Sequence, residues 1–264
     1  MKNIAKIIDI NEENIDELEL FCKKTKKKLV GYQNKVKWIK ERFKEGLKYK
    51  LLIVKEGNKE TSRGMIEYIP GEYNWRGIQA NGWMVIHCLW VAGKHKKKGY
   101  GSNLLQESIK DAKKAGMHGV VGMSADKGGW LPKTKIYLNN GFEKVDEIKP
   151  YFGLFAIIFN DKAPKPKFYP ISDKKVEEYR KGVHFLYSDQ CPYIVDLVDE
   201  LEKEFNTKNE SLNAIKLKNC REAQQNGVHP YGTYCIACNG EITLYKHTTK
   251  KEILTFLNKI RVER

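Results

Sequence analysis

The chain has 264 residues, of which 41% are apolar and 31% charged, and a formal net charge of +15. That apolar share excludes a disordered chain and leaves room for one large domain or two ordinary ones. No run approaches the ~20 uninterrupted apolar residues that a bilayer-spanning helix needs, so no membrane partner is expected.

Residues 4–10 read as a short strand. Residues 14–28 carry Ile15, Leu18, Phe21 and Cys22 at helical spacing, and Val36, Ile39, Phe43 and Leu47 mark a second helix. Strands are expected at 49–54, 64–69 and 82–91, with the turn formers and aromatics of 71–81 as a loop. A basic, glycine-containing loop follows, then an amphipathic helix over 102–115 with Ser102 as its cap and Gly116 as its stop. Residues 120–123 form a buried strand, 133–140 a short helix stopped by Gly141, and 143–148 with 151–159 a closing strand pair. Pro164, Pro166 and Pro170 break regular structure, so residues 161–182 are read as a linker between a domain at 1–160 and a smaller one at 183–264. The second domain reads strand (183–187), helix (194–205), strand (212–217), helix (220–226), a hairpin (233–238 and 241–245) around Asn239-Gly240, and a helix (249–260) capped by Thr248 or Thr249.

The stretch from Cys88 to Ser102 carries the chemistry. It leaves a strand and opens a helix, whose N-terminus offers N–H groups without intrahelical partners and the positive end of a dipole. Gly99 and Gly101 let the backbone approach an anion closely, and Lys96, Lys97 and Lys98 add positive potential. The loop lacks the Gly-Lys-Ser/Thr ending of a Walker loop and the third glycine of a dinucleotide fingerprint. On these residues alone it is a cradle for a phosphate-bearing ligand.

The segment from Leu89 to Gly101 resembles the cofactor motif of the GNAT superfamily of N-acetyltransferases: Arg or Gln, two residues, Gly, any residue, then Gly or Ala. The match falls on Lys96, Gly99 and Gly101, with lysine departing from the usual first residue. Residues 133–142, with Tyr137 and Gly141-Phe142, are similar to the family's second motif, where Leu131 and Thr134 replace the usual Asn and Ala. The resemblance spans roughly residues 1–160. It implies an α/β (α+β) GNAT fold with a mixed central sheet, acetyl-CoA as co-substrate, and direct transfer of acetyl to an amine on a small molecule, peptide or protein. Under it, Leu89, Trp90, Val91, Lys96, Lys97, Lys98, Gly99, Tyr100, Gly101 and Ser102 bind the cofactor. Backbone N–H groups at Leu89 to Val91 polarise the acetyl carbonyl, and Tyr137 protonates the leaving sulfur. The general base stays open among Glu67, His87, Glu72 and His95, with Glu67 and His87 foremost. A non-catalytic acyl-CoA-binding sensor would keep the same cradle.

The second domain opens its first helix with Cys191-Pro192. A cysteine there has a lowered pKa in principle, so Cys191 is expected to be the reactive thiol. The element order, with Pro230 before a strand, resembles a thioredoxin-like fold and the YoaP-like domain that follows GNAT domains in bacteria. Ile194 stands where a second redox cysteine belongs, so dithiol chemistry is not expected. Cys235 and Cys238, if on a strand, point to opposite faces, so no metal site is expected.

The six cysteines do not form the dense framework of a small secreted domain, and the opening Met1-Lys2-Asn3-Ile4 has no apolar h-region. Both observations point to a cytoplasmic protein. The lysines are spread along the whole length and many lie beside acidic residues on the expected helices, which reads as solvated helix faces, while the clusters at Lys23–Lys28 and Lys94–Lys98 stay open. The aromatics near the basic clusters are too few for a base-stacking platform, so nucleic acid is not an expected partner.

Overall fold

Apolar strands, several of them consecutive, and amphipathic helices recur along the described residues. The computed structural model describes residues 5–127, 130–149, 152–171, 176–225, 227, 229–239, 241–243 and 249–262. The elements in order are β1 (Ala5–Ile10), α1 (Val30–Phe43), β2 (Lys48–Glu56), β3 (Lys59–Pro70), β4 (Ile78–Gln79), β5 (Met84–Val91), α2 (Tyr100–Lys114), β6 (Gly119–Ala125), α3 (Thr134–Leu138), β7 (Glu143–Ile148) and β8 (Phe152–Ile158). They continue with β9 (Lys167–Phe168), β10 (Val183–Tyr187), α4 (Pro192–Thr207), β11 (Leu212–Lys216), α5 (Cys220–Gln225), β12 (Tyr234–Cys238), β13 (Glu241–Thr243) and α6 (Lys250–Val262). The expected element ends at Ile4, Tyr151, Asn226 and Tyr245, the Thr248 cap and Gly240 of the hairpin turn lie outside the described residues.

The chain divides into two units. One comprises Met1–Lys24, Ile39–Asn74 and Ile78–Phe168; the other comprises Thr25–Trp38, Trp75–Gly77 and Tyr169–Arg264. The break after Phe168 falls inside the expected linker, and the second unit also takes two short pieces from the N-terminal half.

The first unit holds a mixed seven-stranded sheet in the order β1-β2-β3-β5-β6-β8-β7. Its one parallel pair is β5 with β6, joined by the α2 crossover. Leu104, Leu105, Ile109 and Ala112 form a single helical stripe on α2. They pack on one face of the sheet against Leu52, Val54, Ile66, Tyr68, Ile86 and Leu89. Truncating one of these buried leucines to alanine is worth about 2–5 kcal/mol. Lys50, buried in the same unit, meets Asp9 at 2.8 Å, Glu107 at 3.1 Å and Asp111 at 3.2 Å. The Tyr68 hydroxyl donates to Asp111 at 2.6 Å.

Two local expectations fail for identifiable reasons. No helix forms over 14–28, which is a run of turns. Asn11 and Asn14 turn their side chains onto the backbone: Asn11 Oδ1 accepts from the N–H groups of Glu13 and Asn14, and Asn14 Nδ2 donates to the Asp9 carbonyl. These bonds cap a turn at 11–15 that does not propagate, and Lys23 adopts a φ of 55°, which no α-helix contains. The linker, for its part, contains β9, paired antiparallel with β4 through Ile78–Phe168 and Gln79–Lys167.

In the second unit a four-stranded sheet runs β11-β10-β12-β13, with β10 parallel to β11 and antiparallel to β12. Its core includes Phe185, Ile194, Leu201, Phe205 and Ile236. Thr249 and Glu252 form a reciprocal cap on α6, with bonds of 3.3 and 3.0 Å.

Candidate functional site

The basic loop between β5 and α2 leaves a run of backbone N–H groups without backbone acceptors among the described residues. Lys97 and Gly99 have φ of 62° and 80°, and Lys98 between them does not share that sign. Alternating handedness of this kind turns successive N–H groups toward one concavity. Among the described residues, none accepts a hydrogen bond from the backbone N–H of Lys97, Lys98, Gly99, Tyr100, Gly101 or Ser102; the first helical bond runs from Asn103 to the Gly99 carbonyl at 3.0 Å. Six consecutive donors therefore face outward at the positive end of a 15-residue helix.

Side chains behind the loop fix its path. Glu56 at the end of β2 takes Arg63 at 2.6 Å and Lys94 at 2.7 Å, and those bonds hold its carboxyl down at about 2. His95 is buried, with Nε2 3.6 Å from the same carboxylate, and burial lowers its pKa so that it is neutral at pH 7. His95 thus props the loop from beneath and does not join the other candidate bases. Lys96, Lys97 and Lys98 are exposed, and the Lys96 ammonium lies 5.5 Å from the centre of the Trp90 ring.

The two glycines have different duties. A Cβ on Gly99 would meet nothing within 4 Å, so its requirement is the left-handed backbone itself. A Cβ on Gly101 would come within 2.8 Å of Ile136 Cδ1, so that glycine lets α3 approach α2. Ser102 does not cap the helix. Gly99 occupies that position, immediately before Tyr100, and the Ser102 hydroxyl accepts from Asn140 Nδ2 at 3.0 Å, tying α2 to the end of α3.

Beside the loop, β5 and β6 part company. They pair only from Met84–Val120 to Ile86–Gly122. Past that point β5 remains paired to β3 through Leu89–Ile66, Trp90–Met65 and Val91–Gly64, while its other edge is open. Alternate N–H and C=O groups of residues 87–91 therefore face a wedge between the strands. The register against β3 slips here: Glu67 opposes Cys88 and Tyr68 opposes Ile86, leaving His87 as the extra residue of a β-bulge.

The bulge brings two candidate bases together. His87 Nδ1 lies 3.3 Å from Glu67 Oε1, and both side chains are buried. Tyr49 sits opposite Glu67 on β2, and its hydroxyl accepts from the Phe21 N–H at 3.1 Å. Burial raises the Tyr49 phenol well above its usual pKa. Glu72 is elsewhere, past the far end of the β3–β5 pairing, where it accepts from the Gly82 N–H at 2.7 Å.

Tyr137 closes the wedge from the α2 side. Its ring is fully buried, stacked on Phe155 at 5.8 Å and tilted against Phe142 at 5.3 Å. Its hydroxyl oxygen lies 2.4 Å from the place a Cβ on Gly122 would take, so the phenol rests on the backbone where β5 and β6 separate. Asp126 accepts from the Thr134 N–H at 2.9 Å and Ser124 bonds Thr134 at 3.1 Å, which anchors α3 to the end of β6.

In the second unit Cys191 is the N-cap of α4, and its carbonyl accepts from Ile194 at 3.1 Å and Val195 at 3.3 Å. The expectation of a lowered thiol pKa is not met. Burial raises it, outweighing the N–H groups of Ile194 and Tyr193 and the charges of Lys35 and Arg76. Lys35 and Arg76, distant in sequence, were not legible as neighbours of this thiol. Arg76 is buried and donates to Thr233 Oγ1 at 2.7 Å and to the Tyr231 carbonyl. Cys235 and Cys238 are buried on β12, three residues apart, and so on opposite faces. Burial pushes the Cys235 thiol far up.

A run of N–H donors at the head of a long helix, a splayed parallel strand pair beside it and a phenol at the point of separation lie together in one mixed α/β unit. Residues 13–127 match the acetyltransferase (GNAT) family. Over 221 residues the chain is 32% identical to the uncharacterized N-acetyltransferase YoaP of Bacillus subtilis (strain 168), covering 83% of this chain and 85% of that protein. The chain belongs to the GNAT acetyltransferase family, whose co-substrate is acetyl-CoA. Among solved structures, a GNAT-family acetyltransferase from Staphylococcus aureus Mu50 is 18% identical, with a TM-score of 0.42, covering 58% of this chain and 99% of that one. A GNAT-family acetyltransferase from Brucella melitensis, solved with acetyl-CoA, is 16% identical, with a TM-score of 0.38, covering 63% of this chain and 96% of that one. No described helix is long and apolar enough to cross a membrane, and no group of three or more His, Cys, Asp or Glu among the described residues is placed to hold a metal ion.

Proposed function

We infer that the chain transfers acetyl directly from acetyl-CoA to an amine. The observation that carries this reading is the run of outward N–H groups from Lys97 to Ser102 beside the open edge of β5. The nest receives the pyrophosphate of CoA, with Lys96, Lys97 and Lys98 adding charge. The open edge at Leu89, Trp90 and Val91 bonds the pantetheine arm and polarises the acetyl carbonyl. The Glu67–His87 pair takes the proton that the ammonium must shed, the carboxylate holding the imidazole in position. The amine's lone pair then forms the new C–N bond as the C–S bond breaks. Tyr137 gives its proton to the departing sulfur, a role supported by its hydroxyl resting on Gly122 where β5 and β6 separate.

The strand order of the second unit supports reading residues 183–264 as a thioredoxin-like core. Its single cysteine at the head of α4 gives it no dithiol chemistry. The test of the whole reading is acetyl-CoA with a panel of amines, following released CoA by chromatography. Turnover with at least one amine is expected. Binding of acetyl-CoA with no turnover on any amine would instead mark a sensor of acyl-CoA.

A further inference from the structure

Among the described residues Trp90 is one of the few large apolar side chains that are exposed, at 38%, and it stands inside the candidate site. Trp90 opposes Met65 across β3–β5, and Met65 shares a face of β3 with Glu67. Its ring is therefore on the same face as the Glu67–His87 pair, opposite the face that packs on α2. It already carries a cation: the Lys96 ammonium is 5.5 Å from the ring centre, within the range at which tryptophan's face attracts positive charge. Lys96 belongs to the loop whose donors await a pyrophosphate, so the same ammonium has a second, stronger attraction once that anion arrives.

We propose that Trp90 is a specificity-determining residue that binds a second cationic centre of the acceptor, and that Lys96 occupies its face until the cofactor draws it away. The proposal rests on the acetyltransferase reading and deepens it. Cys88, opposite Glu67, and Trp90 are two residues apart on one strand, which is about 6.6 Å of rise. An acceptor whose reacting nitrogen lies over Cys88, beside the buried Glu67–His87 pair, therefore sets its other positive charge over Trp90 if the two are separated by about that distance. The substrate class is a diamine with its nitrogens four or so carbons apart. Cofactor binding comes first, because it vacates the ring.

The probes are 1,4-diaminobutane, 1,2-diaminoethane and n-butylamine with the full-length protein. The expected kcat/KM for 1,4-diaminobutane exceeds that for n-butylamine by roughly 2- to 30-fold, the range of one cation–π contact. The short diamine shows no such advantage. In Trp90→Leu the ratio of 1,4-diaminobutane to n-butylamine falls to about one, and in Trp90→Tyr it stays above one. Calorimetric binding of the same amines to the protein saturated with CoA reads the same ratios without turnover. It also serves if Trp90→Leu does not fold, because the chain-length dependence in the unaltered protein is then decisive. Equal affinity for 1,4-diaminobutane and n-butylamine, or an unchanged ratio in Trp90→Leu, overturns the proposal. Failure of the acetyltransferase reading looks different: acetyl-CoA itself would not bind.

Discussion

Gly99→Ala separates the two things that residue does. Its φ of 80° costs an alanine about 1–2 kcal/mol relative to glycine, and no neighbour within 4 Å adds a clash. At about 2–4 °C per kcal/mol for a domain of this size, the melting temperature without cofactor should fall by roughly 2–8 °C. The second effect falls on the ligand. Acetyl-CoA at about 100 times its Kd should stabilise the unaltered protein by roughly 2.7 kcal/mol. In Gly99→Ala that gain should shrink by about 1.4 kcal/mol or more, a tenfold loss of affinity, because relaxing the strained backbone swings the donors out of the nest. Gly101→Ala is the control. It lies inside α2, where alanine is favoured by up to about 1 kcal/mol, and its methyl meets only the movable tip of Ile136. Its melting temperature should change little and its acetyl-CoA response should persist. Thermal melts across an acetyl-CoA titration measure both. A full cofactor response in Gly99→Ala, or equal damage in the two variants, would refute the assignment of the nest.

Other parts of the account predict as follows. Tyr137→Phe keeps the stacking on Phe155 and Phe142, so stability should hold while turnover falls roughly 10²-fold; turnover within twofold would make Tyr137 structural. Lys50→Met leaves Asp9, Glu107 and Asp111 without their shared cation and should cost about 2–4 kcal/mol at pH 7 in urea melts. The bonds from Tyr68 and Lys50 hold the Asp111 pKa below its usual value, so this stabilisation is present above the ordinary carboxylate pKa near 3.9 and fades as pH falls through the lower folded value. The Lys50→Met penalty should therefore shrink at pH 3, and a pH-independent penalty would contradict the network. Cys191, its thiol raised by burial, should be alkylated slowly at pH 7 and faster above pH 9; rapid labelling at pH 7 would restore the expectation of a reactive thiolate.

The strand–loop–helix setting of residues 88–102 was legible in the sequence because its signal is local: two glycines and a basic run between an apolar strand and an amphipathic helix. The short helix that carries Tyr137 was legible through Gly141, which stops it. The Glu67–His87 contact was not, since it depends on a bulge, and a register slip between β3 and β5 leaves no mark on either strand alone. The helix expected at 14–28 shows the limit of apolar spacing as a guide: the turn capped by Asn11 does not propagate, and the left-handed backbone at Lys23 leaves no mark on the apolar pattern. Cys191 shows another limit. Its place at a helix start was correct, but burial, which decides its pKa, comes from packing that the sequence does not display.

The central claim is that the donors from Lys97 to Ser102 receive the cofactor. Titrating acetyl-CoA into isotopically labelled protein and following backbone amide resonances tests it most directly. The largest shifts should fall on Lys97, Lys98, Gly99, Tyr100, Gly101 and Ser102, with smaller ones along Leu89 to Val91. Saturable acetyl-CoA binding that leaves those six amides unmoved would contradict it.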